Sequence, residues 1–263
     1  MTLRASLGRW LALVLLAFLA LQIHFALRVA AMAVVDPQST AFQRSEAWRL
    51  ATTGAGSGWS QRWVDYPAIS NHLKRAVIAS EDAGFVDHDG VEWDAIDKAW
   101  GRNQRAEQVA ARAAERQAQR TARQAARNPG KPLAPAKAVE PKVVGGSTIT
   151  QQLAKNLFLS GERNLPRKAQ EFAITFLLEA FLDKSRILEI YLNNVEWGEG
   201  VFGAEAAAGH YFRRSAGQLA PGQAAQLAVM LPAPKRFEKR PGSSYVTGRA
   251  GTIAARMGAV DLP

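Results

Sequence analysis

Two adjacent carboxylates, Glu81 and Asp82, follow an apolar run that includes Ala76, Val77 and Ile78. Ser70 is a good helix cap, and Leu73, Ala76, Val77 and Ser80 fall on one face, which predicts a helix from Ser70 to about Ser80. Glu81 then stands at the carbonyl end of that helix. Both the helix end and the apolar neighbours oppose a negative charge, so its pKa is expected to rise towards the range useful to a general acid or base. Asp82 beside it would stay ionised as a partner. The plainer alternative is a helix end decorated by acids, with Gly84 as its stop.

A second set of groups lies in "GGSTITQQLAKN", Gly145 to Asn156. Thr148 and Gln151 have capping-box spacing, and Thr148, Gln152 and Lys155 recur at i, i+4, i+7, on one helix face. Two glycines before them allow close approach of another molecule, and a hydroxyl-bearing helix N-terminus favours an anion. A third set lies in "ERNLPRKAQE". There Arg163, Arg167, Lys168 and Glu171 crowd a helix start, although cations in a first turn oppose the helix dipole. An anionic ligand would resolve that conflict; a solvated ion-pair face is the alternative. Taken together, one carboxylate can accept a proton from an attacking hydroxyl. The cations Lys155, Arg163, Arg167 and Lys168 can neutralise a phosphorylated leaving group without a metal.

These groups must be positioned by a chain of 263 residues, 48% hydrophobic and 21% charged, enough for one good-sized domain plus an accessory segment, or at most two small domains. Cysteine is absent, which excludes disulfides and thiolate metal sites. Trp10 to Leu21 is uninterrupted apolar sequence, continuing with few polar residues to Val35. That is long enough to cross a bilayer. Arg4 and Arg9 precede it, which predicts residues 1–9 in the cytoplasm and the remainder outside, with Arg28 snorkelling to the outer interface. A cleaved signal peptide, with Ala31-Met32-Ala33 as its site, is the competing reading; in both cases the globular part is exported. Residues 36–62 are expected to be a membrane-proximal linker, in which Ala41 to Gly58 ends in the flexible "TTGAGSG", and residues 63–263 the globular domain.

Within that domain the helical pattern predominates. Pro166 suits the first turn of a long helix to about Leu182, followed by helices over about Ser185 to Leu192, over "GVFGAEAAAGHYF", and from Pro221 to Pro232. No sustained alternation suggests a sheet, so the fold class is mainly α. The net charge of +10 is concentrated: from Gly101 to Val144 there are ten basic and three acidic residues. Ala106 to Arg127 is rich in Ala, Arg and Gln with Val109 as its lone aliphatic, and suits a solvated helix or disorder. "NPGKPLAPAKAVEPK" after it is a proline-rich linker. This segment, about 103–142, is expected to be a surface insert. Contact with anionic lipid or polymer is the sharper alternative.

"EDAGFVDHDG", "GGSTITQQLAKN", "RNLPRKAQEFAITFLLE", "KSRILEIYLNNVEWGEGVFGAEAAAGHYF" and "LAVMLPAP" resemble, in order, the motif series of the peptidoglycan glycosyltransferases, in their monofunctional branch. The resemblance runs from about Trp63 to the end, apart from the basic insert. It implies a mainly α, lysozyme-like glycosyltransferase domain behind a single transmembrane helix. It also implies polymerisation of lipid II into glycan strands with release of undecaprenyl diphosphate. Glu81 matches the glutamate that deprotonates the acceptor 4-hydroxyl, and Glu171 the second family glutamate. Asp82, Phe85 and His88 match the rest of the first motif. Ser147, Thr148, Gln152, Lys155 and Asn156 match the cleft, and Lys155, Arg163 and Arg167 would hold diphosphate.

The resemblance implies no required cofactor and no protein-bound metal, with a divalent cation such as magnesium as an optional assistant. The implied partners are lipid II, the nascent glycan strand, the membrane and, potentially, cell-division or elongation proteins. The implied place is the bacterial inner membrane, with the catalytic part on the periplasmic side. No Ser-x-x-Lys occurs, so polymerisation without peptide crosslinking is expected. A membrane-bound glycan hydrolase is disfavoured because its leaving group carries no diphosphate. A non-catalytic scaffold is disfavoured by the intact Glu81, Lys155 and Glu171. A nucleic-acid binder is disfavoured by export and by the lack of aromatics among the insert's cations.

Overall fold

The computed structural model describes residues 3–54, 58–127, 146–162 and 164–263. They fall into two compact units, one from Met1–Val91 with Thr148–Pro263 and one from Glu92–Ser147. The first unit opens with helix α1, Leu3–Ala31, whose apolar span Ser6–Ala31 is 26 residues and long enough to cross a membrane. Its C-terminal turns, and the residue after them, pack against the rest of the unit. Val29 and Met32 are buried in the core of the unit. Phe25 meets Phe158 edge-on at 5.3 Å, and the Arg28 guanidinium lies 5.0 Å from the same Phe158 ring. Gln22 and Gln170 exchange two side-chain hydrogen bonds of 2.9 and 3.0 Å.

Residues 36–62, expected to be a linker, contain helix α2, Ala41–Thr53. Thr40 and Gln43 form a full capping box at its start, and Gly54 ends it in the left-handed region. Only Gln43 and Leu50 are buried, so no apolar stripe marks the helix in the sequence. Polar contacts fix it instead: Gln43 Nε2 donates to Asn194 O at 3.4 Å, and Arg49 pairs with Glu199 at 2.6 Å. Strand β1, Ser60–Gln61, follows, and then helix α3, Asn71–Glu81, capped by Ser70.

After the second unit the chain returns with α5, Ile149–Phe158; α6, Leu165–Phe181; and α7, Lys184–Asn194 (α4 belongs to the second unit and is given below). Strands β2, Glu196–Gly198, and β3, Val201–Phe202, complete a three-stranded sheet of order β1-β3-β2. Ser60 stands opposite Val201 in the parallel pair. Helices α8, Ala204–Phe212; α9, Pro221–Met230; α10, Pro234–Phe237; and α11, Ser244–Arg256 finish the chain. The mainly α expectation holds, with the sheet as a small addition of strands too short to show alternation. Helix α3 packs on α9 and α11, and α5 packs on α6 and α7. Each of α3, α5 and α7 hides an apolar face and keeps polar groups at its ends, which is what brings chemistry-bearing side chains together.

The second unit is dominated by α4, Trp93–Arg127, 35 residues long. The segment from Ala106 is therefore helical, and the helix begins well before the expected insert boundary at 103. Residues 128–145, with the whole of the proline-rich stretch, lie outside the described residues. Gly146 is packed against this helix: a Cβ there would meet Ala99 Cβ at 3.0 Å and Ala95 O at 3.1 Å. The close approach expected of this glycine is thus made by the protein's own backbone.

Candidate active site

Glu81 is the last residue of α3 and is half-buried. Gln152 Nε2 donates to its Oε2 at 3.1 Å, and Ser80 Oγ lies 3.4 Å from Oε1. Burial raises its pKa, the hydrogen bonds from Gln152 and Ser80 pull it back in part, and the neighbouring charge of Asp82 raises it further. The net direction is upward. Gln152 is oriented in turn by Tyr191, whose hydroxyl donates to Gln152 Oε1 at 3.0 Å.

Asp82 faces inward and is buried. Its Oδ2 accepts the backbone N–H of Ile149, the first residue of α5, at 2.9 Å. The anion expected at that helix N-terminus is therefore the protein's own carboxylate. Its Oδ1 pairs with His88 Nε2 at 2.9 Å, and His88 Nδ1 accepts the Gly90 N–H at 3.1 Å. That contact places the proton of the neutral ring on Nε2. Burial disfavours a charge on the ring, Asp82 favours one more strongly, and the pKa is raised. Protonation would nevertheless cost the Gly90 bond, because a hydrogen on Nδ1 would meet that N–H.

Thr148 caps α5 with both halves of the capping box to Gln151, and its hydroxyl donates to Gly90 O at 2.6 Å. Gly90 has φ +82°, and a Cβ there would stand 2.7 Å from Thr175 Cγ2 and 2.8 Å from Glu179 Cγ. The turn can close on α6 only without a side chain.

Glu171 is the centre of a second cluster. It is buried, with Arg167 Nη1 donating to Oε2 at 3.1 Å and Lys168 Nζ paired with Oε1. The cations crowded at the start of α6 are therefore answered by a carboxylate one turn later. Arg167 Nε is buried without a hydrogen-bond partner among the described residues, which leaves donor capacity at that end of the helix. Asn164 caps α6 by accepting from Arg167 N at 2.9 Å.

The residues expected to bind substrate thus divide. Lys155 is exposed, and Gln152, Asn156 and Arg167 are half-buried, so all four have surface to offer. Ser147 is half-buried and belongs to the second unit. Arg163 lies outside the described residues. Asp82, Phe85 and Thr148 are buried, and His88 has both ring nitrogens engaged. The polar side-chain atoms of Asp82, His88 and Thr148 bond within the protein, and the Phe85 ring is buried beside Lys184, so these four frame Glu81.

Three residues of that frame carry no expectation from the sequence. Glu179 Oε1 accepts from Thr150 Oγ1 at 2.7 Å and from Lys184 Nζ at 2.8 Å, while Lys184 also donates to His88 O at 2.6 Å and lies 4.7 Å from the Phe85 ring. Tyr191 is the third. A tyrosine on the apolar face of a helix needs a partner for its hydroxyl, and that was the available signal.

Comparison with known proteins agrees with this architecture. The family model described as Transglycosylase matches residues 49–125 and 133–258. The biosynthetic peptidoglycan transglycosylase of Cupriavidus pinatubonensis is 49% identical over 262 residues, covering 98% of this chain and 91% of its own. That of Burkholderia pseudomallei is 47% identical over 264 residues, covering 99% and 90%. That of Ralstonia nicotianae is 49% identical over 264 residues, covering 97% and 99%. The chain belongs to the transglycosylase family and is a glycosyltransferase.

Proposed function

We propose that this chain polymerises lipid II into the glycan strands of peptidoglycan, without crosslinking their peptides. The growing chain, on its undecaprenyl diphosphate carrier, is the donor, and the 4-hydroxyl of the GlcNAc of lipid II is the acceptor. Glu81 takes the proton of that hydroxyl as O4 bonds to the anomeric carbon. The bond from that carbon to the diphosphate oxygen breaks, and the electron pair leaves with the diphosphate. Attack from the opposite face inverts the anomeric centre. The observation that carries this reading is the half-buried Glu81, with its pKa raised and its orientation fixed by Gln152.

Lys155, Arg163 and Arg167 meet the charge that develops on the diphosphate, and the unsatisfied Nε of Arg167 supports its part. Glu171 keeps Arg167 and Lys168 oriented. Three cations supply this compensation from the protein, so the reaction requires no cofactor and a divalent ion such as magnesium is accessory. The buried Val29 and Met32, with Met32 O accepting from Arg186 Nε at 2.8 Å, support a retained α1 over a cleaved signal. The proposed arrangement is a single-pass protein of the bacterial inner membrane. Residues 1–9 lie in the cytoplasm and the glycosyltransferase part is periplasmic, where division or elongation proteins could join it.

The test uses detergent-purified full-length protein and fluorescent lipid II, with products separated on a gel. Wild type should give a ladder of long glycan. Glu81→Gln should lose it by about 10²–10⁴-fold in rate. A wild type that instead cleaves preformed glycan would make the chain a hydrolase and overturn the proposal.

A further inference from the structure

The cations of α4 are not scattered. Lys98, Arg102, Arg105, Arg112, Arg116, Arg120 and Arg123 follow one another at intervals of three, four or seven residues. At about 100° per residue they lie within about 80° of one another around the helix axis, in a stripe about 38 Å long. Every one of the seven is exposed. Among the described residues none of them forms an ion pair with an acid, although ion pairs are frequent elsewhere in the chain. Of the acids of the helix, Asp97, Glu107 and Glu115 project from a different face, and Asp94 stands one turn before Lys98 at the N-terminal end of the stripe. Val109 is the one residue at stripe spacing that is not a cation, and it too is exposed.

Seven unpaired cations in a row repel one another, and a folded helix keeps that arrangement at a cost that an anionic partner would remove. We infer that this stripe is a docking surface for the anionic headgroups of the lipid bilayer. The partner's chemistry follows from three features. The stripe contains no aromatic residue on which bases or sugar rings could stack, and no apolar row that could insert, so it suits a charged plane. It is a line along one face of a continuous helix, which can meet a plane of headgroups along its whole length. Finally, Glu92 follows Val91 directly, in a chain whose α1 is long and apolar enough to cross a bilayer, so the helix is tethered to the surface it would touch. The headgroup attraction is worth about fivefold in partition for each cation near an anionic surface.

The chain has no cysteine, so Val109→Cys places a single fluorophore on the stripe. The full-length protein would be reconstituted into vesicles with headgroup-labelled acceptor lipid, once in phosphatidylcholine and once with phosphatidylglycerol added. The anchor holds the protein in both, so energy transfer reports where the stripe lies. Transfer should be several-fold greater with phosphatidylglycerol. It should fall to the phosphatidylcholine level at about 0.5 M salt, where screening is strong. It should fall likewise when Arg112, Arg116, Arg120 and Arg123 are all changed to Gln, a good helix former. Unchanged circular dichroism and lipid II polymerisation in detergent would show that this variant is folded. Equal transfer in the two lipids overturns the inference, as does transfer that survives the four substitutions. A response to purified glycan strands or to DNA in detergent, without one to phosphatidylglycerol, would make the stripe a polymer-binding surface and overturn it as well.

Discussion

The hydroxyl of Tyr191 donates to Gln152 Oε1 at 3.0 Å, and that bond decides which end of the Gln152 amide faces Glu81. An ionised carboxylate only accepts, so Glu81 needs the Nε2 end. The amide offers that end stably while its oxygen has a donor on the other side. Tyr191 is fully buried, and burial, then the charges of Glu81 and Asp82, push its pKa well above 10, so it remains a donor across the working pH range.

Tyr191→Phe should therefore act through Glu81. The amide loses its orienting bond, Glu81 loses part of the hydrogen bonding that lowers its pKa, and that pKa rises further. A base must be ionised to work. The acid limb of the pH–rate profile should move to higher pH, with kcat near neutrality down roughly fivefold for the loss of one hydrogen bond. KM should be unchanged, because Tyr191 has no exposed surface. The measurement is polymerisation rate against pH for both proteins. A uniform loss at every pH, with the limb in place, would assign Tyr191 a packing role only.

Glu81→Gln should lose activity and gain stability. The folded-state pKa of Glu81 lies above the unfolded value near 4.5, so ionisation is harder in the folded protein. Below the unfolded pKa the group is protonated in both states and costs nothing. As pH rises through 4.5 and then through the folded pKa, the penalty grows and then levels off. The variant should melt higher than wild type at neutral pH and at the same temperature near pH 4. Melting curves in detergent at the two pH values decide this, and a lower melting point at pH 7 would mean that the carboxylate is a net stabiliser.

Much of this site was legible because its helices carry their own punctuation. Ser70, Thr148 and Pro166 mark helix starts that the structure places within a residue of the expected positions. The upward shift of Glu81 followed from the apolar residues beside it, since burial is its largest cause. What was not legible is tertiary pairing. The carboxylate of Asp82 satisfies the N-terminus of α5 from 67 residues away, and nothing in either segment announces it. Glu179 and Lys184 join Thr150, His88 and Phe85 by the same kind of long-range contact. Helix α2 was missed because polar bonds rather than an apolar stripe hold it.

Gly90→Ala should be among the most damaging single changes in the frame. The residue sits at φ +82°, where an L side chain is strained, and its new Cβ would press on Thr175 and Glu179 at 2.7–2.8 Å. Strain and overpacking together are worth about 2–5 kcal/mol. For a chain of this size that lowers Tm by roughly 5–15 °C. Gly90 also donates to His88 and accepts from Thr148, so the loss of stability should come with loss of polymerisation at temperatures where wild type is active. A variant that melts with wild type would show that the turn relaxes without cost.

Glu196 offers a pH-dependent test away from the site. It is buried at the start of β2, where Lys235 Nζ stands 3.4 Å from Oε1 without hydrogen-bond geometry. Lys235 also pairs with Glu46 on α2, and Glu238 adds a further negative charge nearby. Burial is the main effect and outweighs the attraction of Lys235, so the pKa rises from 4.5 to about 7. An acid with a raised folded-state pKa costs nothing while protonated in both states. Its penalty grows as pH rises from 4.5 to about 7 and is complete above that. Glu196→Gln removes the charge and keeps the shape. It should leave stability unchanged near pH 4 and raise it at pH 8, by on the order of 3 kcal/mol. Denaturant or thermal melts of the two proteins from pH 4 to pH 8 would measure that difference. A difference of the same size at every pH would mean that Glu196 does not titrate in this range and that Lys235 holds it ionised throughout.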